Sequence, residues 1–594
     1  MKTDVTFLGN IIKVDSNSVE IEISDDIPSS APIVNGKVYK IGQIGTFIKI
    51  PIGNISIYGI VSSVSNTPSN VGDEEVGYYK DSRFLSVQLI GEKIGKEKFQ
   101  RGVGTYPTIN DEVHIVTEED LAEIYGSKEN GSVEIGKHSS SEELPIYVDL
   151  HNLVLRHSAI LGSTGSGKSN TTVGIIKSIL NEYDGGRIVL VDPHGEYSSA
   201  FPEQSQVFRI NDEENPLIIP YWLMNFDELA YFLVGATSAD ENKPQYRMLR
   251  EWITNYKKEN NELKAGNINE VFITADSPIP FDIKKLWHKM NWWVNATFTT
   301  SNRMEQNEDT VCEVDPGNPE ELIPARFEPY ATNNQAPYKS RHEEYLQYES
   351  KILNRIKDSR FNFLFSYEEY TGKKDEKDLH DLLNHWISNE KKLTILDLSG
   401  VPFELLDISV GLITRFLYDS MYWGRFEDYT GKKRPLLIAY EEAHSYLNDD
   451  GKGGYSRKAV EAVFKEGRKF GIGALVISQR PSEISDTILA QIGTYIALRL
   501  TNSKDKNIVK ASAPDNLFSL IDLLPSLRIG ESIVVGEAIN IPSRVRIKLQ
   551  HPRPESNDPE LVDSWTKNHP VDDENYKRVV NALREQRLRN NGNN

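Results

Sequence analysis

The first part of the chain contains short stretches in which apolar and polar residues alternate. Examples are residues 19–23 (VEIEI), 45–50 (GTFIKI) and 84–90 (FLSVQLI), with Gly, Pro, Asn and Ser between them. A period of two is typical of strands that bury one face, and regularly spaced turn residues favour a closed sheet. We therefore expect a small all-β barrel over residues 1–118.

The pattern changes after this region. Residues 119–150 are polar, and we expect a linker that ends in a strand entering the next domain. Short, mostly apolar runs then replace the alternation, at residues 153–161, 188–191, 393–396, 436–439 and 474–477. Such runs, separated by helical stretches, are typical of a parallel sheet covered on both faces. They predict an α/β core made of residues 151–220 and 391–552.

Two further regions interrupt or follow this core. Residues 221–390 carry long polar helical stretches and most of the tryptophans, Trp222, Trp252, Trp287, Trp292, Trp293 and Trp386. We expect a mainly helical insertion whose tryptophans pack in its core; a platform for stacking nucleotide bases is the alternative. Residues 553–594 form a polar tail, in which residues 572–589 have the acid-first, arginine-last order of a helix.

Composition limits the classes of function. Acidic residues outnumber basic ones, 87 to 67, and the net charge of −20 disfavours a surface that coats nucleic acid. DNA held in a locally basic channel stays compatible with this charge. The single cysteine, Cys312, excludes a disulfide framework and fits a reducing cytoplasm. Because the chain shows neither a signal peptide nor a membrane-spanning run, we expect a cytoplasmic protein without a membrane partner.

Residues 162–169 read GSTGSGKS and match the phosphate-binding loop pattern between an apolar strand and a helix. Glycines let backbone N–H groups surround phosphates, and the helix start adds positive potential. Lys168 is expected to reach the β- and γ-phosphates of ATP, and Ser169 to bind Mg²⁺. The predicted ATP-binding residues are Gly162, Ser163, Thr164, Gly165, Ser166, Gly167, Lys168, Ser169 and Asn170.

A second motif, residues 436–444 (LLIAYEEAH), is an apolar strand that ends in two carboxylates. This is the pattern of a Walker B element, in which one acid serves the metal and the next polarises the attacking water. We assign Glu441 to the Mg²⁺ shell and Glu442 to catalysis. An acidic, solvated strand end is the alternative.

Two more strands end in polar residues. Gln479 follows the run at 474–477 and is placed to sense the γ-phosphate, although a capping glutamine is the plain alternative. Residues 192–196 (DPHGE) follow another strand and lie either at the ligand-binding edge of the sheet or in a simple tight turn. Both interpretations stay open. His194 and His444 lack the spacing of zinc ligands.

Together these residues resemble the HerA family of P-loop ATPases, relatives of the FtsK-type DNA translocases. The motifs that carry the resemblance are GSTGSGKSN, VDPHGEY, EEAH, EGRKFGIG, SQRP and IALRLTN. The resemblance covers nearly the whole chain and is most specific over residues 150–200 and 435–505. Glu441 departs from the aspartate that is usual in the family. The resemblance implies a RecA-like ATPase core with a HerA–ATP synthase barrel at its N-terminus.

The resemblance also implies partners. It points to a homo-hexamer that threads duplex DNA through its centre, with ATP and Mg²⁺ as cofactors. Archaeal members work with a NurA-type nuclease in DNA-end resection. Many bacterial members pair with a nuclease or a sirtuin-like NAD-cleaving enzyme in antiphage defence. The alternative is a ring scaffold that assembles and activates such an effector under ATP control; a metabolic P-loop kinase fits the predicted barrel poorly.

Two basic positions complete the expectations. Related ring ATPases place an arginine where Arg468 stands, so Arg468 is expected to act on the nucleotide of a neighbouring subunit. Arg499 is the competing candidate, and a solvated surface pair with Lys469 is the plain alternative. Lys452, in the Gly-rich segment 449–454, is a candidate DNA contact or part of a surface loop.

Overall fold

A computed structural model gives the arrangement of the chain. It describes residues 6–25, 27, 33–34, 37–38, 42–68, 81–125, 128–139, 144–210, 212–261, 268–302, 310–332, 335–365, 370, 377–448, 454–511, 518–555, 561–567 and 573–585. The contacts divide the chain into two compact units. The first unit comprises Met1–Ser205, Tyr418–Gly451 and Val460–Asn557, and the second comprises Gln206–Leu417, Lys452–Ala459 and Asp558–Asn594.

Strands and helices alternate along most of the described chain. The strands are β1 (Phe7–Val14), β2 (Ser18–Ile23), β3 (Ile33–Val34), β4 (Lys37–Val38), β5 (Phe47–Ile52), β6 (Ile55–Pro68), β7 (Asp81–Ile94), β8 (Gln100–Arg101), β9 (Glu112–Ile115), β10 (Ser132–His138), β11 (Pro145–Asp149), β12 (Ser158–Leu161), β13 (Ile188–Asp192), β14 (Ser205–Arg209), β15 (Thr297–Phe298), β16 (Glu313–Asp315), β17 (Arg326–Phe327), β18 (Tyr338–Lys339), β19 (Leu393–Asp397), β20 (Leu436–Tyr440), β21 (Ile472–Ser478), β22 (Thr494–Ala497), β23 (Glu531–Gly536) and β24 (Ser543–Arg546). The α-helices are α1 (Glu118–Tyr125), α2 (Leu150–Leu155), α3 (Lys168–Glu182), α4 (Phe226–Val234), α5 (Pro244–Asn261), α6 (Ile283–Asn295), α7 (Leu346–Lys357), α8 (Asn362–Phe365), α9 (Leu379–Ile387), α10 (Phe403–Trp423), α11 (Tyr455–Glu466), α12 (Asp486–Leu489), α13 (Ser503–Ala511), α14 (Phe518–Ile521), α15 (Leu561–Thr566) and α16 (Asp573–Glu585).

The expected N-terminal barrel is present and closed. Strands follow the order β2-β1-β9-β5-β6-β7, and a further pairing of β2 with β7 completes the ring of six. The inward positions of the alternating pattern form the barrel core, as Val19 and Ile21 on β2 and Val87 on β7 are fully buried. A closed sheet of this kind leaves no unpaired strand edge in the ring.

The segment expected to be a linker is ordered instead. It forms α1, β10 and β11, and β10 pairs with both β11 and β24. The expectation of a linker was wrong because the polar residues of this segment lie on outward faces, while Val133, Ile146 and Val148 are buried between them. Helix α1 likewise buries Leu121 and Ile124.

The first unit also contains the parallel sheet that the apolar runs predict. Nine of its strands follow one another in the order β11-β10-β24-β23-β22-β12-β21-β20-β13. Strands β22, β12, β21, β20 and β13 are parallel neighbours, with Ala159 opposite both Val476 and Tyr495. Gly473 is required on β21 because a Cβ there would come within 2.1 Å of the carbonyl oxygen of Val154. The carboxyl ends of these five strands meet at one edge.

The second unit is mainly helical between residues 221 and 390. It contains α4 to α9 and two small two-stranded sheets, β15 with β18 and β16 with β17. Trp222, Trp287 and Trp386 are among the largest fully buried side chains, which agrees with a packing role for them. The tail contributes α15 and α16, and α16 covers part of the predicted helix 572–589. None of the helices in the described ranges combines the length and apolar character needed to cross a membrane.

Candidate nucleotide-binding site

The loop between β12 and α3 has the shape of a phosphate cradle. Gly165 and Gly167 adopt left-handed backbone conformations, with φ of 70° and 103°, which glycine reaches without strain. Helix α3 begins at Lys168, and in the described part of the chain no side chain caps its first turn. Its first N–H groups therefore face the loop, where an anion would complete their hydrogen bonds.

The loop is held from the neighbouring strand. The N–H and the Oγ of Ser163 both donate to the carbonyl oxygen of Arg499, each at 2.9 Å. Arg499 thus contributes its backbone to the loop, and its side chain is half-buried. On the other side, the side chain of Asn170 donates to the carbonyl oxygen of Lys548 and accepts from the N–H of Gln550.

Lys168 is 8% exposed and lies among carboxylates. Burial raises the pKa of Glu196, and the charge of Lys168 only partly opposes this increase. The same charge opposes the raised pKa of Glu441 and contributes to the lowered pKa of Glu442. A buried ammonium surrounded by acids suits a site that later receives phosphate, because the cation is kept in place before the anion binds.

Glu441 is buried at the end of β20, with 2% of its surface exposed. The hydroxyl group of Tyr197 donates to its Oε2 at 2.7 Å. Burial raises the pKa of Glu441 well above its usual value, and the nearby charge of Glu442 adds to the increase. A bound metal cation would oppose this increase, because a nearby positive charge favours the ionised carboxylate.

Glu442 lies in a different environment one residue later. Its backbone is left-handed, with φ of 46°, a costly conformation for a residue other than glycine. Burial alone would raise the pKa of Glu442, but the hydrogen bond with His444 and the charge of Lys168 lower it overall. His444 Nδ1 lies 3.2 Å from Glu442 Oε2. The pKa values of the two neighbouring carboxyl groups are thus shifted in opposite directions by their surroundings.

Two of the other predicted site residues, Gln479 and Arg468, lie at opposite ends of β21. Gln479 reaches the loop, where its Oε1 accepts a hydrogen bond from Thr164 Oγ1 at 2.6 Å. Arg468 is exposed in the short turn Gly467–Phe470, before the amino end of β21. The seven residues of β21 separate it from Gln479 by about 20 Å. Lys452 lies outside the described residues.

The turn after β13 brings two residues to the site that the sequence did not single out as site residues. The carboxylate of Asp192 accepts hydrogen bonds from the N–H groups of Gly195 and Tyr197, at 2.9 and 3.0 Å. The turn directs Tyr197 to Glu441 and places Glu196 Oε2 at 3.4 Å from Ser169 Oγ. The motif DPHGE at a strand end was the signal for this function, but it also fits a simple turn.

ATP and Mg²⁺ fit the residues present. In the described part of the chain, Ser166 Oγ, which belongs to the cradle, is buried without a hydrogen-bond partner. Ser169, Glu441 and Glu196 supply the oxygen donors that Mg²⁺ prefers. A strand, a glycine-rich loop, a helix that begins with Lys-Ser and a second strand that ends in Glu-Glu define a P-loop ATPase.

Comparison with known proteins places the chain within this class. Residues 133–417 match the family model of the helicase HerA central domain, and residues 426–573 match that of the HerA-like C-terminal domain. The two matches cover most of the chain, which therefore belongs to the HerA family of helicases. Like the rest of this family, it is an ATP-hydrolysing enzyme.

Curated proteins similar to this chain are also HerA helicases. The DNA double-strand break repair helicase HerA of Sulfurisphaera tokodaii is 28% identical over 466 residues, which are 78% of this chain and 77% of the relative. That of Pyrococcus furiosus is 26% identical over 488 residues, with 78% and 77% covered. Among solved structures, VirB4 of Thermoanaerobacter pseudethanolicus shows 13% identity and a TM-score of 0.45, covering 71% of this chain and 98% of its own.

Proposed function

We propose that this protein is a DNA translocase or helicase of the HerA type that uses ATP and Mg²⁺ and has a RecA-like core. The proposal rests on the position of Lys168, Glu441 and Glu442, which lie together at the carboxyl edge of the sheet. In that sheet, β21 lies between the P-loop strand β12 and the strand β20 that precedes the two glutamates. Membership of a family of helicases supports the coupling of hydrolysis to DNA.

Phosphate binding, metal binding and activation of water are assigned to different residues of the site. Lys168 and the first N–H groups of α3 bind the β- and γ-phosphates, and Ser169 and Glu441 hold the metal ion. Mg²⁺, when bound, neutralises charge that develops on the phosphates. Glu442 is kept ionised by His444 and Lys168, so it can accept a proton from the attacking water. Gln479, which contacts the loop through Thr164, senses the γ-phosphate.

The test compares ATP hydrolysis by the wild-type chain, Lys168→Ala and Glu442→Gln, with and without duplex DNA. Lys168→Ala should lose nucleotide affinity. Glu442→Gln should keep it but lose about 10²-fold or more in turnover, since a general base typically contributes that much. Glu203→Gln, an exposed acid on the same unit, is the matched control. Normal turnover of Glu442→Gln would refute the assignment of Glu442.

The same experiment separates a motor from a scaffold. A motor should hydrolyse ATP faster with duplex DNA and displace an annealed strand or a bound protein. If hydrolysis ignores DNA and nothing is displaced, while nucleotide still controls assembly, the ring is an ATP-controlled scaffold for an effector.

We also propose that the protein is a cytoplasmic hexamer with duplex DNA in its channel and an effector partner. The effector is a nuclease or a sirtuin-like NAD-cleaving enzyme, and the setting is bacterial antiphage defence. The resemblance to the HerA family supports this part of the proposal. Purification from the native host followed by mass spectrometry should recover one such enzyme in fixed proportion; a hexamer recovered alone would refute the partnership.

Lys452 is the proposed DNA contact. Because the exterior is acidic overall, contacts with phosphate should be few and concentrated. Lys452→Glu should weaken DNA binding and DNA stimulation and leave basal hydrolysis unchanged. An unaltered affinity across a salt titration would exclude Lys452 as a main contact.

A further inference from the structure

The turn Asp192–Tyr197 is built to present two side chains to the nucleotide site. Three backbone N–H groups lie within hydrogen-bonding distance of the Asp192 carboxylate, those of His194, Gly195 and Tyr197. Asp192 is itself fully buried, so the turn is anchored below the surface. A turn this constrained fixes the positions of Glu196 and Tyr197 before any ligand arrives.

The turn is also held by hydrogen bonds with residues 553–555, near the last residues of the first unit. The N–H of Glu555 donates to the carbonyl oxygen of Glu196 at 2.8 Å. The hydroxyl group of Ser199 donates to the carbonyl oxygen of Arg553 at 3.0 Å. The backbone of the turn is therefore held at Glu196 and again at Ser199, which fixes the point from which the Glu196 side chain extends.

The neighbours of the Glu196 side chain show what it faces. Its Oε2 lies 3.4 Å from Ser169 Oγ, the hydroxyl group assigned to the metal. The charges of Lys168, Glu442 and His194 act on the same carboxylate. Among the described residues, Glu196 is thus the carboxylate that contacts Ser169, the serine assigned to the metal ion.

Mg²⁺ has a chemistry that suits a carboxylate at this distance. It dehydrates reluctantly, keeps several waters in the sites of phosphate-transferring enzymes, and takes only one or two carboxylates. Groups that accept hydrogen bonds from metal-bound waters orient the ion without touching it. A half-buried carboxylate beside the serine ligand can do this, whereas the buried Glu441 is engaged by Tyr197.

We propose that Glu196 is a metal-positioning residue that accepts a hydrogen bond from a water bound to the Mg²⁺ of the nucleotide. In the nucleotide-free site, its carboxylate lies 3.4 Å from the hydroxyl group of Ser169. With nucleotide and metal bound, Ser169 would turn to the metal and Glu196 would accept from a metal-bound water instead. The inference rests on the proposed function of the same site and adds a third acid to it.

The test measures binding rather than turnover. A fluorescent ADP analogue is titrated into the full-length wild-type chain, Glu196→Gln and Glu203→Gln, with Mg²⁺ and with a chelator. Mg²⁺ should tighten binding to the wild type and to Glu203→Gln. For Glu196→Gln the gain from Mg²⁺ should fall about tenfold, the lower limit for losing an outer-sphere partner. Affinity in the chelator should stay within about twofold or rise, because a negative charge near the phosphates is lost.

A second measurement uses Mn²⁺ in place of Mg²⁺ and follows it by electron paramagnetic resonance in the presence of ADP. Glu196→Gln should bind Mn²⁺ about tenfold more weakly, and Glu196→Asp should lie between it and the wild type. Equal metal affinities in Glu196→Gln and Glu203→Gln would overturn the inference. Equal losses with and without metal would overturn it too, because they would show a purely structural role.

The outcomes also separate this inference from the proposed function. If the wild-type chain shows no metal-dependent nucleotide binding, the proposed function fails. If the wild type binds normally and Glu196→Gln behaves in the same way, only the role of Glu196 fails. Melting temperatures of all variants check that each one is folded.

Discussion

At the scale of single residues, Glu441 and Glu442 have the same chemical group in opposite surroundings. The first accepts a hydrogen bond from Tyr197 and is buried away from cations other than Lys168, and the second is paired with His444. The two adjacent carboxyl groups therefore differ in their hydrogen-bond partners and in the direction of their pKa shifts.

This difference predicts the effect of Tyr197→Phe. Removing the hydroxyl group leaves Glu441 Oε2 buried without its donor, which should lower the free energy of unfolding by about 1–3 kcal/mol. It should also raise the Mg²⁺ concentration needed for half-maximal hydrolysis. The measurements are chemical denaturation and a Mg²⁺ titration of ATPase activity.

Tyr495→Phe is the matched control for this prediction. Tyr495 is equally buried, and its hydroxyl group donates to the carbonyl oxygen of Leu489 at 2.7 Å. It should cost similar stability and leave the Mg²⁺ requirement unchanged. If both variants shift the Mg²⁺ requirement alike, Tyr197 has no special relation to the metal site.

His157 predicts a dependence of stability on pH. It is 4% exposed, and its Nδ1 accepts a hydrogen bond from the N–H of Ala474 at 3.1 Å, which requires an unprotonated nitrogen. Burial lowers the pKa of His157 to about 4 from 6.5. Because protonation favours the unfolded chain, the stabilisation is complete above pH 6.5 and is lost as the pH falls through 4. The loss is on the order of 3 kcal/mol.

His157→Asn tests this dependence. Asparagine tolerates the left-handed backbone of His157 and offers an acceptor oxygen, but it does not titrate. Its unfolding free energy should fall less steeply between pH 6.5 and 4 than that of the wild type. His151→Asn, at an exposed position, should keep the wild-type slope. Parallel curves for the wild type and His157→Asn would contradict the prediction.

The sequence predicted some of these residues and could not predict others. Lys168, Ser169, Glu441 and Glu442 were evident because they follow apolar strands in motifs of fixed spacing, and the structure brings them together. Tyr197 was not evident, because its partner lies on another strand and nothing in the local sequence names that partner. A residue whose role depends on tertiary contact leaves no local pattern.

At the scale of elements, the barrel and the sheet of the first unit are joined by specific contacts. The guanidinium group of Arg101, on β8, donates to the carbonyl oxygen of Gly536 at 2.9 Å. It also donates to the carbonyl oxygens of Ile539 and Asn540. One side chain of the barrel therefore satisfies three acceptors of the turn that follows β23.

Arg101→Ala should weaken this attachment. Loss of hydrogen bonds from a charged group to three carbonyl oxygens should cost about 2–3 kcal/mol. The barrel should become more sensitive to limited proteolysis and melt at a lower temperature in calorimetry. Lys98→Ala is the control, because its exposed ion pair with Glu129 contributes little. Equal protease sensitivity of the two variants would refute the role of Arg101.

The error about residues 119–150 belongs to this scale. The segment is polar on average, and average polarity suggests a linker. In β10 and β11, buried and exposed residues nevertheless alternate, so one face of each strand is buried. Strand β10 also pairs with β24, which lies about 400 residues later in the chain. Short amphipathic strands whose partner is distant are difficult to distinguish from loops.

At the scale of the whole molecule, Arg468 and Gln479 lie at opposite ends of β21. An arginine at the amino end of the strand is too far away to reach the phosphates bound at the carboxyl end of its own sheet. In the proposed ring, we expect this end of the strand to face the site of the next subunit. This geometry supports the prediction that Arg468 acts in trans.

The prediction is tested by mixing two inactive proteins. Arg468→Ala alone should lower turnover by about 10³-fold or more, as expected for an arginine finger. Mixed with Glu442→Gln, it should regain part of the activity, because some interfaces then combine an intact Glu442 with an intact Arg468. Lys469→Ala, the exposed neighbour, is the control. Near-normal turnover of Arg468→Ala would move the assignment to Arg499 or reject it.

The position of β12 between β21 and β22 has a consequence for biosynthesis. Both flanking strands are translated long after β12, beyond the whole insertion. Until they leave the ribosome, a growing chain exposes an apolar strand with two unpaired edges, a surface that chaperones and aggregates both recognise. The strands that flank the P-loop strand are therefore all present only after the second half of the core has been translated.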